Sequence, residues 1–335
     1  MIGTANGQPV SITGLGSHVP ERVVTNDDLA QLVDTSDEWI LTRTGIRERR
    51  FVRDDEALSD IALPAAREAL EAAGVRAGDL DLIIVATVTP DMQFPSTAAI
   101  LADLLDAENA AAYDLAAGCT GFMYGIAQAF GMVESGLSRR ALVVGADVLS
   151  KLMNFADRST CVLFGDGAGA VVVEPADREG FLGFELGADG AGGKDLNLPA
   201  GGSRMPTTAE TVASGAHYVH MNGREVFKFA TRVLVSSAQA VLAKCELSLD
   251  DVDVYVPHQA NVRIIDHALS KLGIPKEKVI VNVDRYGNTS SASIPLALAE
   301  AVSAGRVQPG DTVLMTGMGA GLTWGSAVMR WTAPV

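Results

Sequence analysis

Three residues of this sequence combine reactive side chains with surroundings that suit covalent chemistry. Cys119 sits in AAGCTGF, among small neighbours, where an apolar strand turns into a predicted helix, GFMYGIAQAFGMVES. A helix N-terminus directs its positive end at such a sulfur, lowering the thiol pKa and enlarging the thiolate fraction that acts as nucleophile. His258, in VYVPHQAN, follows a strand that ends at Pro257. That places the imidazole at the carboxyl edge of a sheet, where α/β proteins bind ligands. Asn288, in RYGNTSSAS, occupies a second strand-to-helix turn. An amide donor beside an imidazole donor can aim at one carbonyl oxygen and stabilise a developing enolate. Singly, each residue has a plainer reading: a buried cysteine is a small hydrophobe, a lone histidine is structural, and an asparagine caps a helix.

The elements that carry these residues argue for chemistry. Short β-rich apolar runs, LDLIIVATV (80–88), AAYDLAA (111–117), ALVVGAD (141–147), CVLFGDGAGAVVV (161–173), VDVYVPH (252–258), VIVNVD (279–284) and TVLMTGMG (312–319), alternate with Ala-rich helical stretches. This is an α/β pattern with buried strands. The Gly/Pro/Thr-rich stretch from about 180 to 216 is expected to be loop, joining halves 1–180 and 181–335. Each half repeats one plan, in which a strand, a glycine turn and a helix are followed by a stop glycine and another strand. Gly136 follows Cys119 by 17 residues, and Gly305 follows Asn288 by 17. A duplication with an approximate two-fold axis brings Cys119 and Asn288, each expected at a helix N-terminus, to the middle of the molecule.

Composition excludes several other functions. The 335 residues carry a net charge of −15, which opposes general nucleic-acid binding. Cys119, Cys161 and Cys245 are too widely spaced for a disulfide framework or a Cys-x-x-Cys metal pair, and reduced thiols suit the cytoplasm. No signal peptide and no run of eighteen apolar residues is present, so no membrane association is expected. His18, His217, His220 and His267 lack zinc-site spacing, and no metal is expected. The strings FGDGAGA (164–170) and GMGAGLTWG (317–325) lack a dinucleotide or P-loop context. They read as tight packing, with the backbone N–H groups near Ala320 available to an oxyanion.

AAGCTGF, VPHQAN and GNTSSAS, in this order and at these separations, resemble the Cys-His-Asn site of the β-ketoacyl-acyl-carrier-protein synthase III family of thiolase-fold condensing enzymes. The resemblance extends to SDEWILTRTGIRERR (36–50), DRSTCVLFGDGAGA (157–170), NGREVFKF (222–229) and GAGLTWGSAV (319–328). It implies a duplicated five-layered α-β-α-β-α fold, a homodimer, and transfer of an acyl group from an acyl-CoA primer to Cys119. Condensation with malonyl-acyl carrier protein would follow, with His258 and Asn288 holding the enolate, the N–H groups of Cys119 and Ala320 forming the oxyanion hole, and no cofactor. It further implies that Trp39 and Arg158 sandwich the CoA adenine with Arg43 nearby, that Gly223 and Asn261 contact pantetheine, and that Phe94 closes the partner subunit's acyl pocket. Lys228, Arg263 and Lys271 match a carrier-protein surface. Arg263 and Lys271, eight residues apart, share a face of the predicted helix NVRIIDHALSKLG. Met318, which the resemblance places in the acyl pocket with Phe94, and Ala320 depart from family members that carry an aromatic and a glycine there, and Ser270 stands where some carry another base. Primer length is left open. The competing readings are a polyketide starter-unit synthase or acyltransferase and a non-catalytic binding protein of the same fold.

Overall fold

The computed structural model describes residues 8–333. Its first sheet contains β1 (Val10–His18), β2 (Leu82–Ala86), β3 (Ala111–Leu115), β4 (Ala141–Val148) and β5 (Asp166–Pro175), in the order β1-β5-β4-β2-β3. β2 runs parallel to β3 and β4, whereas β5 is antiparallel to β4 and β1. The second sheet contains β6 (Phe181–Ala188), β7 (Val254–Pro257), β8 (Thr312–Gly319) and β9 (Thr323–Arg330), in the order β7-β8-β9-β6. β7 and β8 are parallel, and the remaining pairs are antiparallel. A parallel bridge between Tyr255 and Val279 supplies a one-residue counterpart of β3. Both sheets therefore have the same strand order and directions.

Helices among the described residues include α1 (Asp37–Thr44), α2 (Leu58–Ala73), α3 (Gly121–Glu134), α4 (Gly223–Lys244), α5 (Val262–Leu272) and α6 (Ser293–Ser303). α3 and α6 each carry a single charged residue, Glu134 and Glu300. Helices apolar around their whole circumference belong in a core, and these two lie between the sheets, where Phe122, Met123, Ile126, Ile294 and Leu298 join Val143, Val171, Val256 and Met315 in one cluster. α2 covers the outer face of the first sheet, and α4 with α5 covers that of the second, giving the five-layered α-β-α-β-α order. α4 is long and apolar enough to cross a membrane, but its apolar residues are spent on β8, β9 and α5.

Three expectations fail locally. The stretch expected as loop from 180 begins with β6, whose exposed positions obscure it as a core strand. Residues 279–284 form a bridge at Val279 and then a helical turn, Val283–Tyr286, rather than a strand. Residues 161–165 precede β5 instead of belonging to it. The repeat is also out of register with the glycine count. Cys119 lies in the 3-10 turn Gly118–Thr120, two residues before α3 begins, whereas the residue two before α6 is Ser291, in the turn Ser290–Ala292. Asn288 stands ahead of that turn, bridged to Phe164 as an extended residue.

Candidate active site

Cys119 is held by close backbone packing. Gly118 adopts φ 58°, and a Cβ there would meet Ala320 N at 2.8 Å; a Cβ on Gly319 would meet Cys119 N at 2.5 Å. Glycines at both positions let the 319–320 turn rest on the cysteine turn. Thr323, an unanticipated residue, shares its hydroxyl between Ala117 O (3.0 Å) and Ala320 O (2.9 Å) and so clamps the two turns. The Cys119 side chain is 9% exposed, and Ser290 Oγ donates to Sγ at 3.3 Å. Burial pushes the thiol up to about 11, opposed chiefly by the Ser290 hydroxyl and reinforced by the Asp147 carboxylate. The expected lowering by the helix end is thus outweighed by desolvation, and the resting site holds a neutral thiol.

His258 follows β7, is 1% exposed, and is fixed by its own N–H donating to Thr316 O at 2.8 Å. Its Nδ1 lies 2.5 Å from Ser293 Oγ, and that oxygen also receives the Gln259 N–H at 3.4 Å. A hydrogen bond in which Ser293 donates to Nδ1 puts the ring proton on Nε2, and His258 lines a cavity. Burial lowers the imidazole to about 3, so the ring is neutral at physiological pH. Asn288 is oriented in the same way. Its backbone pairs with Leu163 O (2.8 Å) and Gly165 N (3.0 Å), and its Oδ1 accepts the Ser290 N–H at 2.9 Å. With the amide oxygen occupied, Nδ2 is left as a donor. Two neutral donors on one cavity wall suit a developing oxyanion.

Cys119 stands where two cavities meet. One, of about 100 Å³, is lined by Cys119, His258, Asn288, Gly223, Asn261 and Met318, and by Phe227 and Phe229. The other, of about 240 Å³, is lined by Cys119, Ala320 and Ser290 with Val88, Leu149, Leu152, Phe164, Leu198 and Val219. Its walls are almost wholly apolar. Residues 113–190 match the family of 3-oxoacyl-acyl-carrier-protein (ACP) synthase III, and residues 242–331 match the C-terminal region of the same family. A β-ketoacyl-acyl-carrier-protein synthase III of Symbiobacterium thermophilum is 58% identical over 325 residues, covering 97% of this chain and 98% of that one.

The chain belongs to the β-ketoacyl-acyl-carrier-protein synthase III family.

Solved relatives of this chain agree on the thiolase fold. A 3-oxoacyl-acyl-carrier-protein synthase III from Aquifex aeolicus VF5 is 45% identical with a TM-score of 0.90, covering 96% of this chain and 100% of that one. The priming β-ketosynthase of the R1128 polyketide pathway is 38% identical with a TM-score of 0.91, covering 98% of each chain.

Of the other residues singled out by the sequence, Gly223 and Asn261 line the smaller cavity, and Arg43 is tied to it through Asn261. Asn261 caps α5 through Arg263 N (2.8 Å) and donates Nδ2 to Arg43 O (3.1 Å), tying α1 to the cavity rim. On α1, Arg43 lies 4.5 Å over the Trp39 ring, and Arg158 lies 5.0 Å over it. A ring sandwiched between Trp39 and Arg158 needs about 7 Å, two carbon contact distances. The Arg158 side, anchored on Asp34 O at 2.7 Å, must swing out first. Arg263 covers Phe227, which lines the cavity, at 5.7 Å. Lys228 is exposed and paired with Glu225 at 2.7 Å, and Lys271 is exposed near the far end of α5. Phe94 projects from the loop after β2, 84% exposed and outside both cavities of its own chain.

Proposed function

We propose that the protein condenses an acyl-CoA primer with malonyl-acyl carrier protein to begin fatty acid synthesis in the cytoplasm. Cys119 between an apolar cavity and a donor-lined one is the observation that carries this reading. In the first stage the Cys119 sulfur bonds to the acyl carbon, the CoA carbon–sulfur bond breaks, and the thiol proton leaves with CoA. The N–H groups of Cys119 and Ala320 hold the oxyanion, and the acyl tail enters the apolar cavity. In the second stage the malonyl carbon–carboxylate bond breaks, carbon dioxide departs, and the electron pair enters an enolate held by His258 Nε2–H and Asn288 Nδ2–H. The enolate carbon attacks the acyl carbonyl, and Cys119 is released to regain a proton. Thioester cleavage and loss of carbon dioxide drive the sequence without a cofactor.

Trp39, Arg43 and Arg158 receive the CoA adenine, and Gly223 and Asn261 flank the pantetheine arm. Lys228, Arg263 and Lys271 receive the acidic carrier. The exposure of Phe94 supports a homodimer in which the partner's copy covers the apolar cavity where it opens by Val88. Mass spectrometry after mixing with a panel of acyl-CoA primers tests the reading: the wild type gains one acyl mass, and Cys119→Ser gains none. Acylation of the mutant at the wild-type rate removes Cys119 from the mechanism, and a wild type that gains no mass supports a non-catalytic binding protein. Likeness to the R1128 priming ketosynthase keeps starter loading for polyketides as the second reading. Turnover of the same panel with fatty-acid and polyketide carrier proteins separates the two.

A further inference from the structure

Behind Cys119 lies a buried carboxylate that neither stage uses. Asp147, near the end of β4, is fully buried. Its Oδ1 accepts from Val88 N–H at 2.9 Å and from the Thr87 and Thr89 hydroxyls at 3.0 Å each. Its Oδ2 accepts from Ser291 N–H at 3.1 Å and lies 2.8 Å from Ser291 Oγ, whose proton is shared with Ala86 O at 2.8 Å. All these donors are neutral, and burying a carboxylate among them is tolerated only because its oxygens are this fully bonded.

The segments it joins both reach the cysteine. Val88 lines the apolar cavity beside Cys119. Ser291 is the centre of the turn Ser290–Ala292, whose first residue, Ser290, has φ 53° and donates to Cys119 Sγ. A non-glycine residue in the left-handed region persists where its surroundings over-determine it. Here Asn288 Oδ1 holds the Ser290 N–H from one side, and Asp147 holds the next residue from the other.

We propose that Asp147 is a positioning residue for acyl transfer, fixing the Ser290 turn so that the Ser290 hydroxyl stays on the Cys119 sulfur. The proposal rests on Cys119 being the acylated nucleophile. Single-turnover acylation by acetyl-CoA, followed by mass across a concentration series, compares wild type, Asp147→Asn, Ser290→Ala and the double variant. Asparagine keeps the shape but turns an amide donor towards donors. Its acylation at saturating acetyl-CoA should fall about tenfold, the scale of one hydrogen bond, with the half-saturating concentration within about twofold of wild type. Because both changes act on one contact, the double variant should be no slower than the slower single variant. Wild-type speed in Asp147→Asn, losses that multiply in the double variant, or a parallel shift of rate and half-saturation would each overturn the proposal. If Asp147→Asn does not fold, Ser291→Ala, which removes one link and leaves the carboxylate, takes its place in the same cycle with an expected loss of about threefold. A wild type that stays unacylated indicts the nucleophile assignment itself, whereas an acylated wild type matched by its variants indicts Asp147 alone.

Discussion

His258, its imidazole lowered to about 3 by burial and its Nδ1 hydrogen-bonded to Ser293, is suited to be a fixed donor and not a group that takes up and gives back a proton near neutrality. Asn288, its oxygen spent on Ser290, is a second fixed donor. Replacing either with alanine should lower condensation with malonyl-acyl carrier protein by about 10²–10³, the scale of one lost oxyanion donor. Acylation of Cys119 should retain most of its rate in His258→Ala, whose loss leaves the cysteine and Ser290 turns in place, whereas Asn288→Ala also releases the Ser290 N–H and should lose part of it. Acyl-mass measurements and carbon dioxide release, made on the same preparations, check this; a mutant unable to be acylated yet still releasing carbon dioxide would reverse the assigned roles. The sequence let Cys119 and His258 be picked out because each sits at a turn beside a strand, whereas Asn288 was reached through the repeat, its expected strand at 279–284 being a bridge and a helical turn. It did not reveal the thiol's environment, since desolvation depends on walls such as Phe164 and Leu196 contributed from distant parts of the chain. Nor did it single out Ser290 and Ser293. The run NTSSAS offers four hydroxyls in six residues, and only the turn geometry shows that one faces sulfur and another faces imidazole.

α4 and α5 pack together and present Lys228 and Arg263 beside the cavity mouth. Lys271 lies about 12 Å from Arg263 along α5, at 1.5 Å per residue, so the positive surface is a strip and not a point. On a chain of net charge −15 such a strip can steer an acidic partner. Arg263→Glu should slow condensation with malonyl-acyl carrier protein about tenfold, chiefly through association, and added salt should slow the wild type as exposed charges are screened. Acylation by acetyl-CoA should change less. Equal losses in both half-reactions, with no salt effect on the wild type, would show that the strip does not dock the carrier. Buried parallel strands and their partners were readable from runs such as LIIVA, while β1 was not. Its Gly14 and Gly16 interrupt the apolar pattern because a Cβ at either would come within 2.2 Å of a carbonyl oxygen of α2, at Ala69 or Ala65. The stretch at 279–284 failed in the opposite sense. Its valines alternate like a strand, but only Val279 finds a bridge before the chain coils into Val283–Tyr286.

The stability of the whole molecule carries a pH signature from Asp166. This buried carboxyl, at the start of β5, accepts from Val52 N–H and Ser150 N–H at 2.9 Å each and from Ser150 Oγ at 2.5 Å, yet burial still pushes it up to about 6. A carboxyl whose folded value exceeds its unfolded value of 3.8 binds its proton more tightly in the native state. Stability is therefore lost as pH rises from about 4 to about 6, by on the order of 3 kcal/mol in total. Relative to Asp166→Asn, which has no such proton, the wild type should gain stability as pH falls through this window and show a constant difference above about pH 7. Urea denaturation of both proteins across pH 4–8 checks this, and a difference independent of pH would refute it. The two cavities that meet at Cys119 have a kinetic consequence for the enzyme as a whole. The donor-lined cavity is narrow, about 100 Å³, and on the proposed mechanism the thiol arms of CoA and of the carrier protein use it in turn while the acyl tail rests in the other. A site used in this way takes its two substrates one after the other, with no ternary complex. Initial-rate plots against one substrate at several levels of the other should give parallel lines, the ping-pong pattern, and free CoA should compete with the malonyl carrier for the acylated enzyme.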